Sequence, residues 1–198
     1  MDSTLIRQTR FALLAPALAR AARAPARAAA VRPAWQRVRC AVPVQQQSNW
    51  CWCAVALGVH QHYQASDTTT QCQAADRILQ RDDACDTPAN PQVNVPYYLE
   101  RALAAFGHLR GEALPQPLTP PQIAQELGRD APIGTRIGWP GGGGHFVVID
   151  GLLDDGERTR VAIDDPLFGP TEMDLRSCLA AYHGSGRWTH SYLTCPEA

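Results

Sequence analysis

The chain has 198 residues, 45% of them hydrophobic and 19% charged, which is enough to bury a sizeable core and unlike a disordered polymer. Its formal net charge of -1 gives the whole chain no footprint for nucleic acid. No apolar run is long enough to cross a bilayer, so stable membrane insertion is not expected.

Residues 1–39 differ from the rest. They hold eight Arg and a single acid, Asp2, so the remainder of the chain is acidic; every basic residue is Arg and none is Lys. Such asymmetry marks a tail distinct from a folded unit. Pro16, Pro25 and Pro33 interrupt any long helix in it. Leu5–Ile6 and Phe11–Leu18 imitate the apolar stretch of a secretory signal, but Arg20, Arg23 and Arg27 follow densely. The extension therefore reads as an imperfect export signal, a pro-segment or an unstructured segment, with one folded domain over 40–198.

Ser48 or Asn49 is positioned to cap a helix running to about Tyr63, apolar nearly all round until His60 and therefore expected to be buried. A Ser/Asp/Thr loop at 66–70 leads to a second helix over 71–81, and a Pro/Asn/Asp-rich loop follows at 82–94. A third helix fits 95–106, stopped by Gly107. A fourth starts at Thr119-Pro-Pro-Gln, where Thr119 and Gln122 form a capping box, and ends near Gly128. The texture then turns to strands over 132–139, 145–152 and 160–165. The last two are joined by a hairpin turn at Asp154-Asp155-Gly156-Glu157. Asp174 caps a short helix through Ala181, and 187–194 alternates as a last strand. Helices first and an antiparallel sheet second predict an α+β fold of two packed halves.

Seven cysteines suggest disulfides and an oxidising destination, secretion or export before the cytoplasm. The odd count leaves a thiol unpaired, as a thiol hydrolase requires. No pair of CxxC motifs is present, and Cys51-Trp-Cys53 has the wrong spacing for a zinc knuckle, so neither metal nor cofactor is expected.

The first turn of a helix favours a thiolate, and Cys51 stands there. Cys53 is its rival and points about 200° round the helix, so only one of the two faces a cleft; periodicity does not choose between them. Gln45, first of the run Gln45-Gln46-Gln47, offers an amide upstream that can donate to an oxyanion during acyl transfer. His145 follows four glycines and opens a strand, where its ring can take a thiol proton while side-chain-free backbone admits a substrate. An imidazole base needs an orienting acceptor. The hairpin register brings Asp164 and Asp165 beside the start of the His145 strand. Adjacent residues face opposite sides, so one of them serves: Asp165 is preferred and Asp164 is the alternative.

Gln45–Trp52 has the glutamine-to-cysteine spacing of papain-like peptidases. VPVQQQSNWCWCAVALGVHQHY (42–63), GGGGHFVVIDG (141–151) and VAIDDP (161–166) resemble, in order, bacterial members such as plant-pathogen effector proteases and bacteriocin-leader peptidases. The resemblance covers roughly residues 40–195. It implies a papain-like fold and a cysteine endopeptidase acting on protein or peptide substrates. In it Cys51 is the nucleophile, His145 the base, Asp165 the orienter and Gln45 the oxyanion donor, while Cys53 is packed inside. It also implies a Cys72–Cys85 crosslink. The plant-type CGSCW signature is absent and the orienter is Asp where that group has Asn, which excludes a close cathepsin relative. A catalytically inactive binding module and a transglutaminase-like acyl transferase are the alternative functions.

Four other features are read as structural. His60-Gln-His62 reads as exposed helix-end histidines, Tyr97-Tyr98 as helix packing, Trp139 and Trp188 as core or rim, and Asp154-Asp155 as turn residues. Oligomeric state has no signature in the sequence.

Overall fold

The computed structural model describes residues 34–197. The basic extension read over 1–39 lies outside the described residues except for its end, and that end is structured. Gln36–Arg37 form a short strand, β1. Four helices follow, α1 (Cys51–Tyr63), α2 (Gln71–Leu79), α3 (Leu99–Ala105) and α4 (Pro120–Leu127). The strands β2 (Ile133–Gly138), β3 (Gly144–Asp154), β4 (Thr159–Asp164) and β5 (Thr171–Asp174), the helix α5 (Leu175–Ala180) and the strand β6 (Arg187–Tyr192) complete the chain. The α+β arrangement expected from the sequence is the one observed.

α1 is buried from Cys51 through His60, because nearly every residue of its first ten is small or apolar and no polar face exists to be solvated. It packs on α2, α3 and β3 and so joins the helical half to the sheet half. Its N-terminus is held differently from the expectation. The N-cap residue is Trp50 and no side chain caps the helix. Ser48 and Asn49 are instead engaged by Asn94. The Asn49 amide donates to Asn94 Oδ1 at 2.9 Å, Asn49 Nδ2 donates to the Asn94 carbonyl at 2.9 Å, and Asn94 Nδ2 donates to Ser48 Oγ at 2.9 Å. The indoles on either side of Cys51 bond to the same loop, Trp50 Nε1 to the Val93 carbonyl and Trp52 Nε1 to the Val95 carbonyl.

Where capping is local, the expected helix starts hold. Thr119 and Gln122 close a capping box on α4, and Thr70 and Gln73 close another on α2. α2 stops at Leu79, with Gln80 in the left-handed region. α3 begins at Leu99, four residues later than expected, because Pro96 disfavours helical geometry at Val95 and removes a donor.

The strands form one antiparallel sheet in the order β5-β4-β3-β2-β6, with β1 pairing β3 in line with β2. β1 and β5 were not expected; each is too short for alternation to show. In the β3–β4 ladder Ile149 pairs Ile163 and Gly151 pairs Ala162, so Asp150 occupies a bulge between them. The segment leading from β1 to α1 crosses the helix at Gly58, where a Cβ would come within 2.9 Å of Val42 Cα; only glycine admits this crossing. The same segment bonds to the sheet half: Val38 N donates to the Asp150 carbonyl at 2.9 Å and Gln45 N to the Pro166 carbonyl at 2.8 Å. A disulfide joins Cys72 and Cys85, the pairing the resemblance implied. Among the described residues no helix is long and apolar enough to cross a membrane.

Candidate active site

Between the two halves lies a cavity of about 320 Å³ whose lining includes Gln45, Cys51, Trp52, Tyr97, Gly144 and His145. The sequence nominated Gln45, Cys51 and His145, and the structure brings all three to this one place.

Cys51 and Cys53 part company as the helical geometry requires. Cys51 opens α1 at the cavity. Cys53 is fully buried, and its thiol donates to the Gln71 carbonyl at 3.3 Å, under the start of α2. Burial, with Cys51 nearby, pushes the Cys53 thiol far up, so it is the wrong sulfur to ionise.

His145 arrives from the start of β3. Its Nε2 donates to Asp165 Oδ1 at 2.8 Å, and the ring lines the same cavity as the Cys51 side chain. With Nε2 committed to Asp165, Nδ1 is the nitrogen left for the sulfur. Burial on its own would lower the imidazole pKa. The hydrogen bond to Asp165, the neighbouring Cys51 side chain and the charges of both outweigh it and raise the value to about 9. For Asp165 burial would raise the carboxyl. The bond and charge of His145, the Tyr182 hydroxyl and the Leu167 amide outweigh it and hold the carboxyl below its ordinary value.

The choice between the two adjacent aspartates follows from alternation at the end of β4. Asp165 turns to His145 and is almost fully buried. Asp164 turns the other way, where its Oδ2 accepts from the Val42 amide at 2.8 Å. Asp165 has three further donors that the sequence did not reveal. The Leu167 and Phe168 amides donate to Oδ1 at 2.7 and 3.0 Å, and Tyr182 Oη donates to Oδ2 at 2.5 Å. The two amides belong to the turn that Asp-Asp-Pro announces. Tyr182, seventeen residues away, carried no local signal.

Gln45 reaches the cavity, and its Nε2 donates to the carbonyls of Gln47 at 2.9 Å and Ser48 at 3.0 Å. The amide is thereby fastened to the loop that enters α1. Its Oε1 is buried with no protein partner.

The glycine run is shaped by a residue the sequence did not single out. Arg136 on β2 donates through one terminal nitrogen to Thr189 Oγ1 at 3.0 Å and through the other to the Gly143 carbonyl at 3.1 Å. Its guanidinium lies flat on Gly144, where a Cβ would meet it at 2.7 Å.

Other readings are corrected here. His60 and His62 are not exposed. His60 is buried, stacked on Phe106 at a 4.4 Å centroid distance, with Nδ1 2.9 Å from His108 Nε2. His62 is enclosed between the carbonyls of Arg39 and Asp130 at 3.0 and 2.8 Å. The apolar surround of α1 extends one turn further than the residue types indicated. Tyr97 and Tyr98 precede α3 and are not part of it; Tyr97 packs on Trp52 at 5.3 Å and lines the cavity, and Tyr98 is exposed. Trp188 is in the core and Trp139 is on the cavity wall.

A family model described as papain-like cysteine protease AvrRpt2 matches residues 33–183, a span that holds every residue placed around the cavity above. No curated protein matches the chain. The family match supports peptidase chemistry and lends nothing to the binding-module or acyl-transferase alternatives.

Proposed function

The chain belongs to the AvrRpt2 family of papain-like cysteine proteases, and from that membership we propose that it hydrolyses peptide bonds through Cys51, His145 and Asp165, with Gln45 serving the oxyanion. One observation carries this reading: a single imidazole, bonded to a buried carboxylate just past the end of β4, shares one cavity with the thiol at the head of α1.

The chemistry runs in two halves. His145 and Cys51 exchange a proton to give a thiolate beside an imidazolium, and the Asp165 carboxylate stabilises that cation while fixing the ring. The sulfur attacks the scissile carbonyl carbon. The negative charge that develops on oxygen is met by backbone N–H groups at the uncapped first turn of α1 and by a Gln45 amide hydrogen, which must first leave the Gln47 or Ser48 carbonyl that it bonds in the free protein. The imidazolium returns its proton to the departing amine, which leaves a thioester on Cys51. His145 then takes a proton from water, hydroxide attacks the thioester, and the acid product departs with the thiol restored.

The Cys72–Cys85 disulfide supports an oxidising destination, so export belongs to the proposal. The test is mutational. Cys51→Ala abolishes cleavage of a peptide or casein substrate and labelling by a thiol-alkylating peptide probe, while Cys53→Ala keeps much of both. Persistence of cleavage in Cys51→Ala overturns the assignment.

A further inference from the structure

Tyr182 is fully buried and comes from neither of the two elements that carry Cys51 and His145. It lies in the turn between α5 and β6. There its amide donates to the Gly186 carbonyl at 2.8 Å and the Gly186 amide donates back to its carbonyl at 2.8 Å. This two-way bridge fixes the Tyr182 backbone, and a hydroxyl at the end of a rigid ring on a fixed backbone has little freedom. The hydroxyl sits 2.5 Å from Asp165 Oδ2, the oxygen that His145 does not use. Oδ1 already accepts from His145, Leu167 and Phe168, so without the phenol one side of the carboxylate would be buried and bare.

The next residue reinforces the arrangement. His183 has φ +44, a conformation a non-glycine residue adopts only when its surroundings require it. Its ring stacks on Phe168 at a 4.1 Å centroid distance, and Phe168 in turn meets the His145 ring edge-on at 6.2 Å. One turn therefore supports the Asp165–His145 pair from two directions, by a hydrogen bond on the carboxylate and by aromatic packing beside the imidazole.

Building on the peptidase reading above, we propose that Tyr182 is a positioning residue that acts through Asp165: its hydroxyl anchors the carboxylate in the ionised form and in the orientation that aims His145 at Cys51. Burial and the facing carboxylate both keep the phenol protonated, so it remains a donor across the working pH range. The titratable groups around the Tyr182–Asp165 pair are His145, His183, whose ring centroid lies 4.7 Å from that of Tyr182, the Cys178 thiol on α5, and Asp164 next along the chain.

Tyr182→Phe removes the hydroxyl and keeps the ring. It is expected to lower kcat about tenfold with KM unchanged, the scale of a hydrogen bond to a charged group. It is also expected to move the acid limb of the kcat/KM profile up by about one pH unit, because a carboxylate that loses a donor holds its proton more tightly. In an Asp165→Ala background the same change has no further effect. Three results overturn the proposal: kcat within about twofold of the parent, a lowered Tm with an unmoved pH profile, or losses that multiply in the double variant. Cys51→Ala in the same assay tests the underlying peptidase reading separately, since that reading survives any outcome at Tyr182.

Discussion

A hydrogen bond of 2.8 Å between His145 and a carboxylate that is 1% exposed places a charged pair where water cannot compete for it. The consequence for pH is directional. The imidazole pKa is raised from 6.5 to about 9 in the folded protein. The stabilisation from this pair is therefore fully present below about pH 6.5 and is lost as pH rises through about 9. A rate that depends on the imidazolium has its alkaline limb near pH 9, measurable as kcat/KM against pH. For Asp165, whose value is lowered, the contribution is present above the ordinary carboxylate value and fades as pH falls through the folded one. The two neighbouring aspartates give a second test. Asp165→Asn should cost about a hundredfold or more in kcat/KM, because it puts an amide where the imidazolium needs a charge. Asp164→Ala loses the bond to the Val42 amide, and its effect should appear in thermal stability at about 1 kcal/mol. Alternation at the end of β4 indicated in advance that one of the two would face His145 and the other would not; it left Asp164 as the alternative to Asp165. Tyr182 was not legible, because nothing in the sequence around it refers to a carboxylate seventeen residues away.

At the level of elements, local chemistry was readable and remote chemistry was not. The Thr119 capping box is complete within four residues, so the start of α4 was visible. The head of α1 is tied down by Asn94, 45 residues from Asn49, and the residues that should have capped the helix serve that distant loop. Asn94→Ala removes two side-chain bonds and leaves the Asn49 amide and Ser48 without their partner. It should destabilise by about 2 kcal/mol, read as a shift in the urea midpoint. The glycine run before His145 drew attention as bare backbone for a substrate, and Arg136 adds a second reason for it. Gly144→Ala would force the guanidinium off Gly143. KM for a peptide should rise about fivefold, while the rate of Cys51 alkylation by iodoacetamide changes little. The sequence placed the β3–β4 hairpin and its turn correctly, and missed β1 and β5 because a strand of two or four residues has too little pattern to register.

Among the described residues, the two halves are joined through α1, through α4, which packs on β1, β2 and β3, and through the segment that leads into α1. The disulfide lies away from the cavity, between α2 and the loop that follows it. Cys72→Ser with Cys85→Ser should therefore lower stability by about 2–4 kcal/mol in chemical denaturation and leave the catalytic constants of the surviving folded fraction intact. The boundary of the folded unit is also reset. Val38 is buried and Gln36 Nε2 donates to the Ala124 carbonyl at 2.8 Å, so a chain beginning at Cys40 should be weaker by at least about 2 kcal/mol than one beginning at Ala34. The path of residues 38–45 has one more effect. It is stitched at Asp150 to the strand that carries His145 and at Pro166 to the turn after Asp165, and it then continues directly into the helix that carries Cys51. The helix of Cys51 and the strand of His145 are therefore joined by one continuous segment rather than borne on two lobes free to swing. Heating should extinguish thiol reactivity and near-ultraviolet ellipticity at the same midpoint, as a single cooperative event with no folded but inert form between them.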